Sequence, residues 1–315
     1  MVYRVVVLCI AVIVSFVAEK YIFFLSSFSP SFSNNVLKGH SPIFVILHVA
    51  MSTDARPAGK KRVVIKVGSS SLVENEQLVL ARIEALCKLI ADLSSKYEVV
   101  LVSSGAVAAG YTEVKLDKTC SPAHKQTLAS VGQPLLMHTY HEIFEKYDIC
   151  CAQLLLGFHD FDSRTRTQHA VDAVNVLLAN GVVPIVNEND ATATPDWVFG
   201  DNDRMAAHVS HFFDADLLVI LSDIDGYYDS NPRENPDAKV LKFVDHIPES
   251  ALSEVASPNN AFATGGIVTK LKAADFLMKR NRKMFLTSGF DLSLIREYLL
   301  EGKHNNGTLF LPKSK

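Results

Sequence analysis

Positive charge is not in excess in this chain. Its 31 lysines and arginines face 34 aspartates and glutamates in 315 residues, for a formal net charge of −3. A nucleic-acid-binding surface usually shows as a basic excess, so that class is set aside. Cysteine is scarce: Cys9, Cys87, Cys120, Cys150 and Cys151, with no C-x-x-C spacing. Neither a disulfide framework nor a zinc knuckle is expected. Cys150 and Cys151 lie in an apolar, strand-like run, which predicts buried, reduced thiols in a reducing compartment. Several signatures are missing outright. There is no G-x-x-x-x-G-K-[ST] phosphate loop and no H-R-D or D-F-G of the protein kinases. H-E-x-x-H is missing too, since His141-Glu142 has no histidine at the required spacing. No G-x-G-x-x-G follows the first strand, which argues against a dinucleotide-dependent dehydrogenase. A hydrolase nucleophile elbow would need glycine where Val102 stands. No internal repeat or long low-complexity linker interrupts the chain.

What is present is an ordinary globular balance, 48% hydrophobic and 21% charged, with length for a sizeable core. The first fifty residues differ in character. Residues 5–18 are almost wholly apolar, follow Arg4, and are broken by Glu19 and Lys20. That run is short for a membrane span, which takes about 20 residues. A signal peptide or signal-anchor is one reading. The other starts from the polar lead at 51–61, opened by Met51, and makes residues 1–50 a dispensable or misassigned extension before one domain over 62–315.

From residue 62 onward, strand-like and helix-like segments alternate. Apolar β-branched runs predict strands over 62–67, 99–103, 149–156, 182–186, 216–221 and 283–286. Helical periodicity covers 77–96, 121–147, 164–180, 202–213 and 268–280, and another helix opens over 105–110. Gly181 reads as a helix stop. The alternation predicts an α/β fold with a mostly parallel sheet covered by helices.

Four predicted strands end in small, polar or charged residues, and in a parallel sheet such ends share one edge and can line one crevice. The first ends in Lys66, Gly68 and three serines, a fixed cation beside a turn whose NH groups suit an anion. The second ends in Ser103-Ser104-Gly105-Ala106. Free NH groups at the following helix start suit a carboxylate or phosphate, and a turn with a capping serine is the plainer use. The third ends in Asn187-Glu188-Asn189-Asp190, either a receiver for an ammonium group or a solvated loop. The fourth ends in Ser222-Asp223. Gly200-Asp201-Asn202-Asp203 can cap the helix near Asn202, or hold lysine ammonium groups aimed at a transferring phosphoryl group. Thr264-Gly265-Gly266-Ile267-Val268-Thr269-Lys270 reads as a phosphate loop entering a helix, or as a glycine-rich turn with a surface lysine.

These segments occur in a fixed order, together with Ala106-Val107-Ala108-Ala109-Gly110 and Ala129-Ser130-Val131-Gly132-Gln133. In that order they resemble the amino-acid kinase family, and within it the members that phosphorylate glutamate. The similarity runs from about residue 62 to about residue 311. The resemblance implies a three-layer α/β/α sandwich around a mostly parallel sheet of about eight strands. It implies transfer of the ATP γ-phosphoryl group to the side-chain carboxylate of L-glutamate with Mg2+, the first step toward proline. By the same resemblance Lys66 and Lys270 stabilise the phosphoryl group. Gly68, Ser69, Thr264, Gly265, Gly266, Ile267, Val268 and Thr269 approach the nucleotide. Ser222 and Asp223 contact it, with serine replacing the family's threonine. Ser104, Gly105, Asn187, Asp190, Asp201 and Asn202 match glutamate-binding positions. Asp203 is the candidate for organising the lysines and Asp201 its competitor. No residue is assigned as a metal ligand.

The family also implies a cytoplasmic homo-oligomer and proline as feedback inhibitor. Glutamate-5-semialdehyde dehydrogenase would accept the labile product, and nucleic acid is not a partner. Many bacterial members carry a C-terminal PUA domain. Here Gly307-Thr308-Leu309-Phe310 closes the unit and such a domain is not expected. Aspartate, N-acetylglutamate or UMP is the alternative acceptor within the family. A membrane-tethered, non-catalytic amino-acid sensor is the alternative outside it, against which Lys66 and Lys270 weigh.

Overall fold

The computed structural model describes residues 60–116, 121–193, 202–232, 234–253 and 266–313. The apolar extension, most of the polar lead, Asp201, Thr264 and Gly265 lie outside these residues.

The described residues begin with β1 (Lys61–Val67), a helical turn α1 (Ser69–Leu72), β2 (Val73–Glu74), β3 (Gln77–Leu78) and α2 (Leu80–Ser94). Next come β4 (Tyr97–Ser103), α3 (Ala106–Glu113), α4 (Pro122–Glu145), β5 (Cys151–Leu156), α5 (Phe158–Asp162), α6 (Arg164–Ala179) and β6 (Val183–Glu188). The second half supplies α7 (Asn202–Phe212), β7 (Leu217–Ser222), β8 (Phe243–Val244), α8 (Glu249–Ser253), α9 (Gly266–Met278) and β9 (Lys283–Ser288). It closes with α10 (Ser293–Arg296), a π-helical turn (Glu297–Glu301) and β10 (Thr308–Phe310).

Eight strands form one sheet in the order β5-β6-β4-β1-β7-β9-β10-β8. From β5 to β9 every pairing is parallel, and β10 then runs antiparallel to β9. β1 lies inside the sheet and is buried from Arg62 to Val67. Its side chains alternate between two apolar clusters, as strand geometry requires. Val63, Ile65 and Val67 pack with Leu86 and Ile90 of α2 and Leu136 of α4. Val64, on the opposite face, packs with Met205 and Val209 of α7 and Leu271 of α9. The three layers expected from the resemblance follow from this alternation. At the amino end of β1, buried Arg62 pairs with buried Glu98 of β4 at 2.9 Å.

Two expectations change. The helix predicted from residue 77 starts at Leu80, because Asn75 and Glu76 take φ of 49° and 63° and fold Gln77–Leu78 back on Val73–Glu74. A two-residue turn with both φ positive is the connection that matches strand twist. The thiols of Cys150 and Cys151 are not buried: Cys150 is exposed and Cys151 half-buried, because β5 is the outer strand of the sheet. Among the described residues Cys87, on α2, is the buried thiol.

The segment Ala129–Gln133 has its explanation in packing. A Cβ on Gly132 of α4 would lie 1.8 Å from the Ala106 carbonyl oxygen, and one on Gly110 of α3 would lie 2.0 Å from that of Leu128. The two backbones touch where no side chain fits. Gly132→Ala is therefore expected to cost about 1–3 kcal/mol of stability, the usual cost of overpacking, with a lower urea midpoint as the readout.

Candidate active site

A cleft of about 490 Å³ opens at the carboxyl ends of β1, β4 and β6, between the first turns of α3, α4, α7 and α9. Sheet alternation turns Lys66 to the same face as Val64, toward α7 and α9. There its ammonium meets Oδ1 of Asp203, in the first turn of α7. Lys270, one turn into α9, places its ammonium 3.1 Å from Oδ2 of the same carboxylate. All three are buried, Asp203 to 2% exposure and the lysines to 7% and 6%. Thr269 Oγ1 donates to Asp203 Oδ2 at 3.0 Å, and Lys270 Nζ also donates to the Gly266 carbonyl at 3.0 Å. Burial pushes the Asp203 carboxyl up, but the two ammonium groups outweigh it and hold its pKa below the ordinary carboxylate value.

Two glycines leave these ammonium groups approachable. A Cβ on Gly68 would lie 3.4 Å from Lys66 Nζ, and one on Gly266 would lie 4.0 Å from Lys270 Nζ. Gly68 has φ −82°, so its value is the open space over the cation rather than an unusual backbone. Ser69 and Ser70 line the cleft beside it.

The other half of the cleft is an amide and hydroxyl network. Asn202 Nδ2 donates to Ser104 Oγ at 2.9 Å and to Asn187 Oδ1 at 3.0 Å. Asn187 Nδ2 donates to Gln133 Oε1 at 2.9 Å, and Gln133 Nε2 donates to Gln153 Oε1 at 3.2 Å. Ser104 therefore does not cap α3. The N-cap is Gly105, whose φ of 114° only glycine adopts readily. Asp190 is half-buried, which raises its pKa, and Lys125 partly offsets the rise from 3.8 Å.

The structure thus brings Lys66, Gly68, Ser69, Ser104, Gly105, Asn187, Asp190, Asn202, Asp203, Gly266, Thr269 and Lys270 to one cleft. Ser222 and Asp223 are not in its lining. Ser222 ends β7 and Asp223 follows it, just past the Val67–Leu221 pairing, and Ser222 Oγ donates to Asp223 Oδ1 at 2.9 Å. Ile267 and Val268 turn their side chains into the apolar core, which leaves only their backbone to meet a nucleotide. Sequence reasoning missed Lys125 in the lining and Gln133 behind Asn187, and gave Glu188 and Ser70, which lay in segments it singled out, no role of their own. Gln133 had a signal, as part of the Ala129–Gln133 segment. Lys125 had none beyond being a cation at a helix start.

The family model for the amino acid kinase family matches residues 61–288. A glutamate 5-kinase of Leishmania donovani is 57% identical over 250 residues, covering 79% of this chain and 95% of that protein. One from Wolinella succinogenes is 56% identical over 256 residues, covering 80% and 98%. Among solved structures, a carbamate kinase from Giardia lamblia superposes with a TM-score of 0.56 at 18% identity, over 81% of this chain and 99% of that one. A T. acidophilum isopentenyl phosphate kinase does so at 0.55 and 16%, over 79% and 99%. At those identities the likeness concerns the fold alone.

Proposed function

This chain belongs to the amino acid kinase family, and from that premise we propose that it transfers the γ-phosphoryl group of ATP to the side-chain carboxylate of L-glutamate. The products are L-glutamyl 5-phosphate and ADP, and the reaction is the first step of proline biosynthesis. The observation that carries the site assignment is the Lys66–Asp203–Lys270 clamp at the strand ends.

The chemistry asks little of the protein beyond placement and charge. A free glutamate side chain has a pKa of about 4.3, so at neutral pH it is already the nucleophile and needs no general base. Phosphoryl transfer spreads charge over the equatorial oxygens, and catalysis comes from in-line positioning and neutralisation. Lys66 and Lys270 are placed to take that charge. Asp203 supplies the anion that makes burying two ammonium groups tolerable, and fixes both tips. Two ammonium groups against one carboxylate leave the clamp a net charge of +1 for the phosphates.

Ser104, Asn187, Asn202 and Asp190 form the acceptor half, with Asp190 suited to the substrate's ammonium group. Magnesium is assigned to the nucleotide. Among the described residues no group of three His, Cys, Asp or Glu side chains is placed to hold a metal, and a bound ion would supply further charge neutralisation at the phosphates beside Lys66 and Lys270. The proposal extends to a cytoplasmic location. In support, Cys87, Cys150 and Cys151 are free thiols, as in a reducing compartment. Homo-oligomeric assembly, inhibition by proline and transfer of the acyl phosphate to glutamate-5-semialdehyde dehydrogenase belong to the same proposal on family grounds.

Trapping the acyl phosphate with hydroxylamine tests it. ATP and L-glutamate should give γ-glutamyl hydroxamate, with little hydroxamate from aspartate or N-acetylglutamate, and ADP release should depend on glutamate and not on UMP. Turnover of N-acetylglutamate without turnover of glutamate would overturn the assignment.

A further inference from the structure

We propose that Lys125 is the cation that selects the α-carboxylate of the substrate, exchanging its ion pair with Asp190 for one with the bound amino acid. The inference rests on the glutamate reading and deepens it.

Glutamate brings two carboxylates and one ammonium group to the cleft at neutral pH. Its side-chain carboxylate must reach the clamp. Three lysines line the cleft among the described residues, and Lys66 and Lys270 are both bound to Asp203. Lys125 is held differently. Its ammonium stands 3.8 Å from Asp190 Oδ1, beyond ordinary hydrogen-bond length. Its side chain is 54% exposed, against 17% for the carboxylate it faces.

The position of Lys125 is not explained by helix stability. It lies in the first turn of α4, where a cation opposes the helix dipole, and that turn has no acidic residue to compensate. The turn is nonetheless well anchored. Ser121 caps it by accepting from the His124 amide, and Gln126 Nε2 donates to the Ala193 carbonyl at 2.8 Å. The second bond ties the start of α4 to the loop that carries Asp190. Lys125 and Asp190 therefore project from two elements tied to each other, as opposite charges at the mouth of the acceptor half. An α-amino acid presents its ammonium and carboxylate on one carbon. Inserted between Asp190 and Lys125, it replaces one loose ion pair with two.

L-Isoglutamine is the probe, because it keeps the side-chain carboxylate and converts the α-carboxylate to an uncharged amide. The wild-type protein should prefer glutamate over isoglutamine by roughly 100-fold in kcat/KM, since a site built for a charged group rejects the analogue that lacks it. Lys125→Met should raise the KM for glutamate at least about tenfold, change kcat by less than about threefold and reduce the preference to below about fivefold. Lys125→Arg should restore most of it. Lys125 is exposed, and unchanged melting temperatures would show that both variants fold. A Lys125→Met protein that still prefers glutamate by the wild-type ratio would overturn the role of Lys125. A wild-type protein that phosphorylates neither compound would instead overturn the glutamate reading itself.

Discussion

Replacing Lys270 with alanine should lower kcat by roughly 10²–10³-fold, equivalent to about 3–4 kcal/mol of barrier, and Lys66→Ala should do the same. The size follows from losing one preorganised donor in a water-poor site, where charge interactions are strong. The fold should survive either change. Each lysine shares Asp203 with the other, so losing one leaves a matched pair in place of a cluster of charge +1. Melting temperature should therefore move far less than turnover. KM for glutamate should change little if the proposed acceptor residues Ser104, Asn187, Asn202 and Asp190 hold the substrate, since they line the other half of the cleft. A variant with unchanged kcat would remove that lysine from the reaction.

Asp203→Asn should act on both stability and rate. Asparagine nearly preserves shape and can still accept from Thr269 Oγ1, but it leaves two buried ammonium groups with no anion between them. Breaking a buried ion pair by removing one partner costs about 3–5 kcal/mol. The effect depends on pH in a defined direction. The folded-state pKa of Asp203 lies below its unfolded value, so its contribution is fully present above about pH 4 and is lost as the pH falls through the folded value. Urea midpoints of wild type and variant should differ most near neutrality and converge in acid. A constant difference across that range would show that the stabilisation does not come from the carboxylate's charge.

Much of this arrangement was legible before any coordinates. The strands and helices from Arg62 onward were readable because buried parallel strands are short apolar runs and the helices between them keep their period. The shared strand-end edge followed from parallel order, which placed Lys66, Ser104 and Asn187 together without knowledge of any contact. Four things were not legible. The sheet strands β8 and β10 went unread because two or three residues carry no periodic signal. The β2–β3 hairpin depends on left-handed backbone at Asn75 and Glu76, residues with no glycine to announce it. The exposure of Cys150 depends on strand order, because only its edge position opens β5 to solvent. The partnership of Lys125 with Asp190 joins the start of α4 to the loop after β6, an approach held by the hydrogen bond from Gln126 Nε2 to the Ala193 carbonyl. The choice of Asp203 as organiser was readable as a candidate, and its two lysine contacts are tertiary facts. Its competitor Asp201 lies outside the described residues.

The central claim is that the two buried lysines act on the transferring phosphoryl group, and single-turnover transfer from γ-labelled ATP to saturating L-glutamate isolates that step from product release. The account predicts that transfer is slowed at least roughly 100-fold in both Lys66→Ala and Lys270→Ala. Transfer at close to the wild-type rate in either variant would contradict it.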